Sequence, residues 1–361
     1  MDAAESTVSL GLRELCCTLG IDAKSFARAV RNLQKSAAIQ ISEELLRRVV
    51  ESEGKAVLKA SDEDEQLELD WSAAECRTST PQGQETSRLY VSADGVMVPV
   101  TTQEEKDKRR ATVMKKRREN RPRRGRRRGR LGAVKAGADQ RYKQFFVTEF
   151  YSQDHEHKLV GVTRGDHRKL GRLLRREAAR VRLPGAQERH GLVDGAVCLK
   201  RHLDGLELSE VGLDFYHGIE HVKGAAKQTL GSDASGKASP AAEQWAETMV
   251  HTLRHEGYDP FWEKLCQWRG PQRKSKRASA DRLLHYVAER KEMMNYVEWE
   301  RRGLHIGSGP VESMCKVTTQ RVKGPGMRWD TDHAEAMMAL EALEQSGLRE
   351  RYWANALAAV N

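Results

Sequence analysis

Between Arg88 and Thr229 the hydrophobic period of the chain switches between two and about three and a half, in an order that few folds accept. Arg88-Leu89-Tyr90-Val91-Ser92-Ala93-Asp94 reads as a strand. Val96, Val98 and Val100 alternate with shorter or polar residues, so the chain there returns as a hairpin or continues extended. Gln144 to Tyr151 is rich in β-formers, Lys158 to Thr163 is another strand, and polar Ser152 to Glu156 joins them at hairpin length. From about Asp166 to Val181 the pattern becomes helical, with Leu170, Leu173, Leu174 and Ala178 on one face. Short buried-type strands follow at His190–Asp194 and Val211–Tyr216 with a helix between them, and a further helix runs from about Gly218 to Thr229. Three strands, a helix, a strand, a helix and a strand amount to an α/β layer around a mixed sheet.

Three acidic motifs sit on that framework. Ser92-Ala93-Asp94-Gly95 and Val193-Asp194-Gly195-Ala196 each place an Asp at the end of an apolar run and just before a Gly. Gly307-Ser308-Gly309-Pro310-Val311-Glu312-Ser313 places a Glu in the first turn of a helix, with Pro310 suited to that turn and Ser308 to its cap. An isolated Asp-Gly marks a turn. Carboxylates arriving from separate elements are also what two hard divalent cations need, since a pair of ions about 4 Å apart can clamp both oxygens of an in-line phosphoryl displacement. In this reading Asp94 bridges two ions and Asp194 and Glu312 each complete one. Asp214, which also ends a strand, is the alternative to Asp194. Lys316, one turn beyond Glu312, faces phosphate or solvent. His217 and His221 are four apart, but without Cys nearby they make a poor zinc pair.

The 361-residue chain carries a formal charge of +10, and its distribution says more than its sum. Lys106 to Arg130 holds 15 Lys or Arg against Asp107 and Glu119, a local +13, so the other residues sum to −3. Such a run repels itself unless a polyanion is present, and it reads as a disordered nucleic-acid-binding loop. Lys115, Lys116, Arg117, Arg118, Arg123, Arg124, Arg126, Arg127 and Arg128 are its expected phosphate contacts, joined by Arg328, with Trp329 either stacking on an unpaired base or belonging to the core. Six Cys without a Cys-x-x-Cys pair fit a reducing compartment, and neither a signal pattern nor a membrane-length apolar run occurs. The expectation is a cytoplasmic protein.

The remaining segments organise around this core. Residues 1–72 read as three short helices suiting a helix-turn-helix, 73–87 as a linker and 88–230 as the first part of the core. An all-helical insertion over 231–303 contains a second loose basic loop, Arg269 to Ser279. The Glu312 helix (304–330) closes the core, and 331–361 forms C-terminal helices.

The strand and helix order is similar to that of the RNase H-like nucleases and transposases. The series Ser92-Ala93-Asp94-Gly95, Val193-Asp194-Gly195-Ala196, Leu213-Asp214-Phe215-Tyr216-His217, the Glu312 motif and Gly326-Met327-Arg328-Trp329 resembles the DDE transposases of bacterial insertion sequences. It looks closest to the ISKra-type group, related to the Mutator-like transposases. The resemblance implies an RNase H-like core, Asp94, Asp194 and Glu312 as the acidic triad, and two Mg²⁺ or Mn²⁺ ions. It also implies nucleoid-associated DNA partners, namely element terminal inverted repeats and target DNA, with a homodimer or larger assembly in the synaptic complex. His217 matches the His of an Asp-x-x-His motif in related transposases, with a helix-cap role as the other reading. Two departures stand out: the Cys-rich zinc element common in the group is missing, and the basic run is dense for a loop between the first strands. A metal-dependent nuclease without strand transfer and a non-catalytic domesticated nucleic-acid-binding protein are the competing readings, and involvement of a guide RNA or accessory protein stays open.

Overall fold

A computed structural model describes residues 8–62, 67–119, 129–233 and 235–358. Three helices come first: α1 (Leu10–Asp22), α2 (Phe26–Ala37) and α3 (Glu43–Asp62). Ser9 and Ser25 cap the first two by accepting from Leu12 and Arg28 backbone N–H groups. The sheet and its helices follow as β1 (Arg77–Ser79), β2 (Glu85–Pro99), α4 (Gln103–Glu119), β3 (Tyr142–Ser152), β4 (Lys158–Thr163), α5 (His167–Arg180), β5 (Glu188–Val193), α6 (Val197–Leu203), β6 (Glu210–Leu213) and α7 (Phe215–Leu230). Helices α8 (Pro240–His251), α9 (Tyr258–Arg269), α10 (Lys274–Ala288) and α11 (Tyr296–Arg302) form the next block. The chain then returns through α12 (Gly309–Thr319), α13 (Thr331–Gln345) and α14 (Arg349–Ala358).

The main strands lie in the order β4-β3-β2-β5-β6, with short β1 paired to the start of β2. β3 runs antiparallel to β2 and β4, while β2, β5 and β6 are parallel. Three antiparallel strands extended by two parallel ones on the side of the first is the RNase H-like arrangement, and it makes this an α/β core. Instead of turning back after Asp94, β2 runs straight through to Pro99, pairing with β3 along its whole second half.

Helices cover both faces of the sheet, which explains the long buried stretch of β2. On one face, Leu170, Leu174 and Ala178 of α5 pack against Leu89, Val91, Ala93 and Phe150. On the other, Val96, Val98, Val147, Val160 and Val162 join Met314, Met337, Met338 and the helices of the N-terminal segment. The third helix of that segment is long, and its buried side is spent on α13, where a Cβ at Gly54 would collide with the Ala336 carbonyl. Its Arg47 is held by Glu44 and Glu51.

Arg88 ties the later helices to the sheet. It is 1 % exposed, pairs with Glu188 of β5 at 2.7 Å, and donates to the carbonyls of Arg302 and Gly303 at 2.9 Å. A buried guanidinium needs this full set of acceptors.

Two expectations from the sequence are corrected. The basic run does not begin as a loop: residues 103–119 form helix α4, because Glu104 and Glu105 sit in its first turn and Lys116, Arg117 and Arg118 in its last, each complementing the helix dipole. Arg123, Arg124, Arg126, Arg127 and Arg128 lie outside the described residues. Much of the second basic loop is helical as well, since α9 ends at Arg269 and α10 starts at Lys274.

Candidate active site

Strand register brings the first two carboxylates side by side. Ser92 is paired with Leu192 across the parallel β2–β5 ladder, so Asp94 and Asp194 each lie two residues further along neighbouring strands. Asp194 directly follows the last residue of β5. The turn there needs Gly195, whose φ is +87° and whose missing Cβ would lie 2.7 Å from Leu213 and 2.9 Å from the Tyr286 hydroxyl. Asp194 Oδ1 accepts from the Ala196 N–H at 3.0 Å, which holds its carboxylate in a short Asx turn.

Glu312 approaches from a third element. Helix α12 packs across β2 and β3 on the Asp94 face, and Cys315 points its Sγ at Asp94 Oδ2, 3.6 Å away. Glu312 stands one turn earlier on α12 and is exposed. Burial of the Cys315 thiol, reinforced by the Asp94 charge, pushes its ionisation far up, so it stays a protonated donor. Asp94 itself is half-buried, with Oδ1 accepting from the Gly95 N–H at 2.6 Å. Its carboxyl is raised above the usual range, first by desolvation and further by the charges of Asp194 and Glu312, against the lowering pull of the Gly95 and Cys315 donors. Asp94 thus feels the charge of each of the other two acids.

Asp214 is placed differently. It is 2 % exposed and caps α7, with Oδ1 accepting from the His217 N–H at 2.8 Å. Its Oδ2 accepts from both the N–H and the hydroxyl of Ser308 at 2.5 Å. With both oxygens engaged, it joins the start of α7 to the start of α12. Asp214 is therefore a buried brace, and Ser308, at the N-cap position of α12 but not bonded to its backbone N–H groups, turns its hydroxyl to Asp214, with Glu312 Oε1 3.4 Å away. His217 contributes its backbone N–H to that cap and leaves its ring half-exposed, 3.9 Å from Glu220. Lys316 is exposed one turn past Glu312. His221 stacks on Tyr286 with ring centroids 3.8 Å apart and meets the His217 ring edge-on at 5.1 Å.

The flanking sequence-derived residues divide. Lys115, Lys116, Arg117 and Arg118 lie on α4. Arg328 pairs with Glu105 at 2.7 Å, and Lys106 with Asp330 at 2.7 Å, so both anchor the base of α4. Trp329 is buried against Phe26 and Arg321 and bridges to Val100, which leaves no face for a base. It is a core residue.

Sequence reasoning missed Arg290. From the end of α10, its Nε and Nη2 donate to the Gly195 carbonyl at 3.0 and 2.8 Å, and its guanidinium lies 4.0 Å above the Tyr286 ring. The Tyr286 hydroxyl is pushed up to about 12, mainly by burial, with Arg290 opposing and the charges of Asp194 and Asp214 adding. The helical block therefore clamps the turn that carries Asp194. Nothing local marks Arg290, which is 95 positions away from Gly195.

No protein-family description matches the chain, and no curated protein matches it in sequence. Among solved structures it is similar to the Drosophila P element transposase strand transfer complex, at 12% identity and a TM-score of 0.42, over 93% of this chain and 92% of that one. The strand order, not that distant likeness, defines the fold. Among the described residues no helix is long and apolar enough to cross a membrane.

Proposed function

We propose that this chain is a DNA transposase of the DDE type, cutting DNA strands and joining them through Asp94, Asp194 and Glu312. The observation that supports it most is the convergence of these acids from β2, the end of β5 and the first turn of α12, with Asp94 feeling the charge of both others. The finer assignment to the ISKra-type group rests on the sequence motifs alone.

Among the described residues no three His, Cys, Asp or Glu side chains are gathered closely enough to hold a metal ion as they stand. The donor set nevertheless suits Mg²⁺ or Mn²⁺: it is all carboxylate oxygen, and its mutual repulsion is what a divalent cation relieves. Asp94, Asp194 and Glu312 would hold such ions, which supply an activated oxygen nucleophile and neutralise the leaving 3′-oxygen. The protein's own part is positional. Gly95 and Cys315 fix the Asp94 carboxyl, Arg290 and Gly195 fix the Asp194 turn, and the Asp214–Ser308 brace fixes the start of the helix that carries Glu312. Cations on α4 and, by sequence, on the segment beyond it would carry the phosphate backbone.

The test supplies duplexes from the DNA flanking the gene, pre-cut to expose a 3′-OH, together with a plasmid target and Mg²⁺ or Mn²⁺. Joined product that disappears in Asp94→Asn supports the proposal. Nicking without joining points to a nuclease on the same carboxylates, and binding without either reaction to a non-catalytic protein.

A further inference from the structure

The α4 segment is not the only basic surface. Helix α5 buries Leu170, Leu173, Leu174 and Ala178 on the sheet and turns Arg168, Lys169, Arg172 and Arg175 outward, all exposed. Other cations around this helix are neutralised: Arg164 by Asp332 and Glu335, Arg176 by Asp62, Arg180 by Glu177. The outward four form no ion pair among the described residues. Their nearest acids are already engaged, Asp166 in capping α5 and Glu335 with Arg164. Helix α6 widens the surface with exposed Arg201 and with His202, which lies over Gly171 so closely that a Cβ there would be 2.8 Å from its Nδ1. Arg175 and Arg201 both depress the His202 imidazole after burial and His167 have done so, which places these cations together.

The position of this surface matters as much as its charge. Thr163, at the end of β4, pairs with Phe146, and Phe146 pairs with Gly95, so α5 begins at the carboxylate end of the sheet. Helix α6 begins just after the Asp194 turn. The base of α4 is fastened through Arg328, Trp329 and Asp330 to the core on the Asp94 face, whereas α5 and α6 cover the opposite face.

We propose that the α5–α6 face is a second nucleic-acid-backbone site, taking a duplex segment distinct from the one held by α4. This rests on the reading of the chain as a DNA-joining enzyme, which must hold two duplexes where a nuclease needs one. Arg168, Arg172 and Arg175 follow one helical stripe about 10 Å long. Duplex DNA carries a charge every ~1.7 Å, and arginine forks match phosphate oxygens without reading bases. The α5 stripe exposes no large apolar side chain, and Val197 at the start of α6 is the single one on the face among the described residues, too little for a membrane or a protein partner.

The experiment uses the full chain, short unrelated duplexes with different labels, and the triple variant Arg168→Ser, Arg172→Ser, Arg175→Ser. A companion variant replaces Lys115, Lys116, Arg117 and Arg118 with Ser. Sedimentation gives duplexes bound per chain, and titration across a salt series gives the slope at each site. Wild type should bind two duplexes per chain; the α5 variant should bind one, losing a site whose log K against log salt slope is about 3, whereas the α4 variant should keep two with a lower slope at the other site. Arg→Lys at the same three positions should keep both sites, and an unchanged melting temperature shows that the Ser variant is folded. One duplex per wild-type chain, or an α5 variant that still binds two, overturns the inference while leaving DNA joining intact. Absence of any duplex binding by wild type defeats the DNA reading itself.

Discussion

Glu149 gives the protein a pH signature that is independent of any substrate. It lies on β3 opposite Ser92, on the same sheet face as Asp94, is 2 % exposed, and its Oε2 has no hydrogen-bond partner among the described residues. Burial pushes its carboxyl up to about 7, and Lys158 offsets only part of this. In the unfolded chain the same group titrates near 4.5. Because the folded-state value is the higher one, folding favours the protonated form. That contribution is complete below about pH 4.5 and is lost as pH rises through about 7. At about 1.4 kcal/mol per unit, the loss across the window is on the order of 3 kcal/mol. Glu149→Gln keeps the shape and removes the titration. Urea unfolding of both proteins at steps from about pH 4 to 8.5 measures the effect. The stability difference should grow by about 3 kcal/mol in favour of the Gln variant as pH rises, and level off above about pH 7.5. A difference that stays constant, or that grows toward acid, refutes the reasoning.

Three further outcomes are expected. Asp94→Ala, Asp194→Ala and Glu312→Ala should each abolish strand cleavage while duplex affinity is held or rises slightly, read by parallel cleavage and binding assays; wild-type cleavage by any of them removes that residue from the site. Arg290→Ala strips two charge-assisted hydrogen bonds from the Gly195 carbonyl and should slow cleavage about 10- to 100-fold, with a higher Mn²⁺ requirement and partial recovery in Arg290→Lys. A fall in melting temperature with unchanged Mn²⁺ dependence would make Arg290 merely structural. Replacing Lys115, Lys116, Arg117 and Arg118 with Ser should lower the salt slope of duplex binding by about 3 to 4 without changing preference among DNA ends; an equal slope would mean that α4 faces something other than DNA.

Much of the core was legible because its signals are local. Runs of β-formers at Leu89 to Asp94 and Phe145 to Tyr151 mark strands whatever they pair with, and the Leu170-Leu173-Leu174-Ala178 stripe marks a helix with one buried face. A Gly after Asp194 announces the turn that its positive φ requires. Charge density hides helix α4, whose signal lies in the order of its charges, acids leading and bases trailing.

By itself, then, the amino-acid order determined the strands and helices of an RNase H-like sheet and set acidic residues inside β2, just after β5 and in the first turn of α12. Backbone geometry imposes those periods within a few residues. Only tertiary structure decided which groups at those positions are free. Asp194 and Asp214 end adjacent strands in similar local sequence, yet Ser308, 94 positions further on, occupies Asp214, while Arg290 secures the turn beside Asp194. Trp329 is core because Phe26 and Arg321 reach it from distant segments. Whether a carboxylate or a ring is committed or available depends on desolvation and hydrogen-bond partners brought in by packing, and no local pattern encodes them.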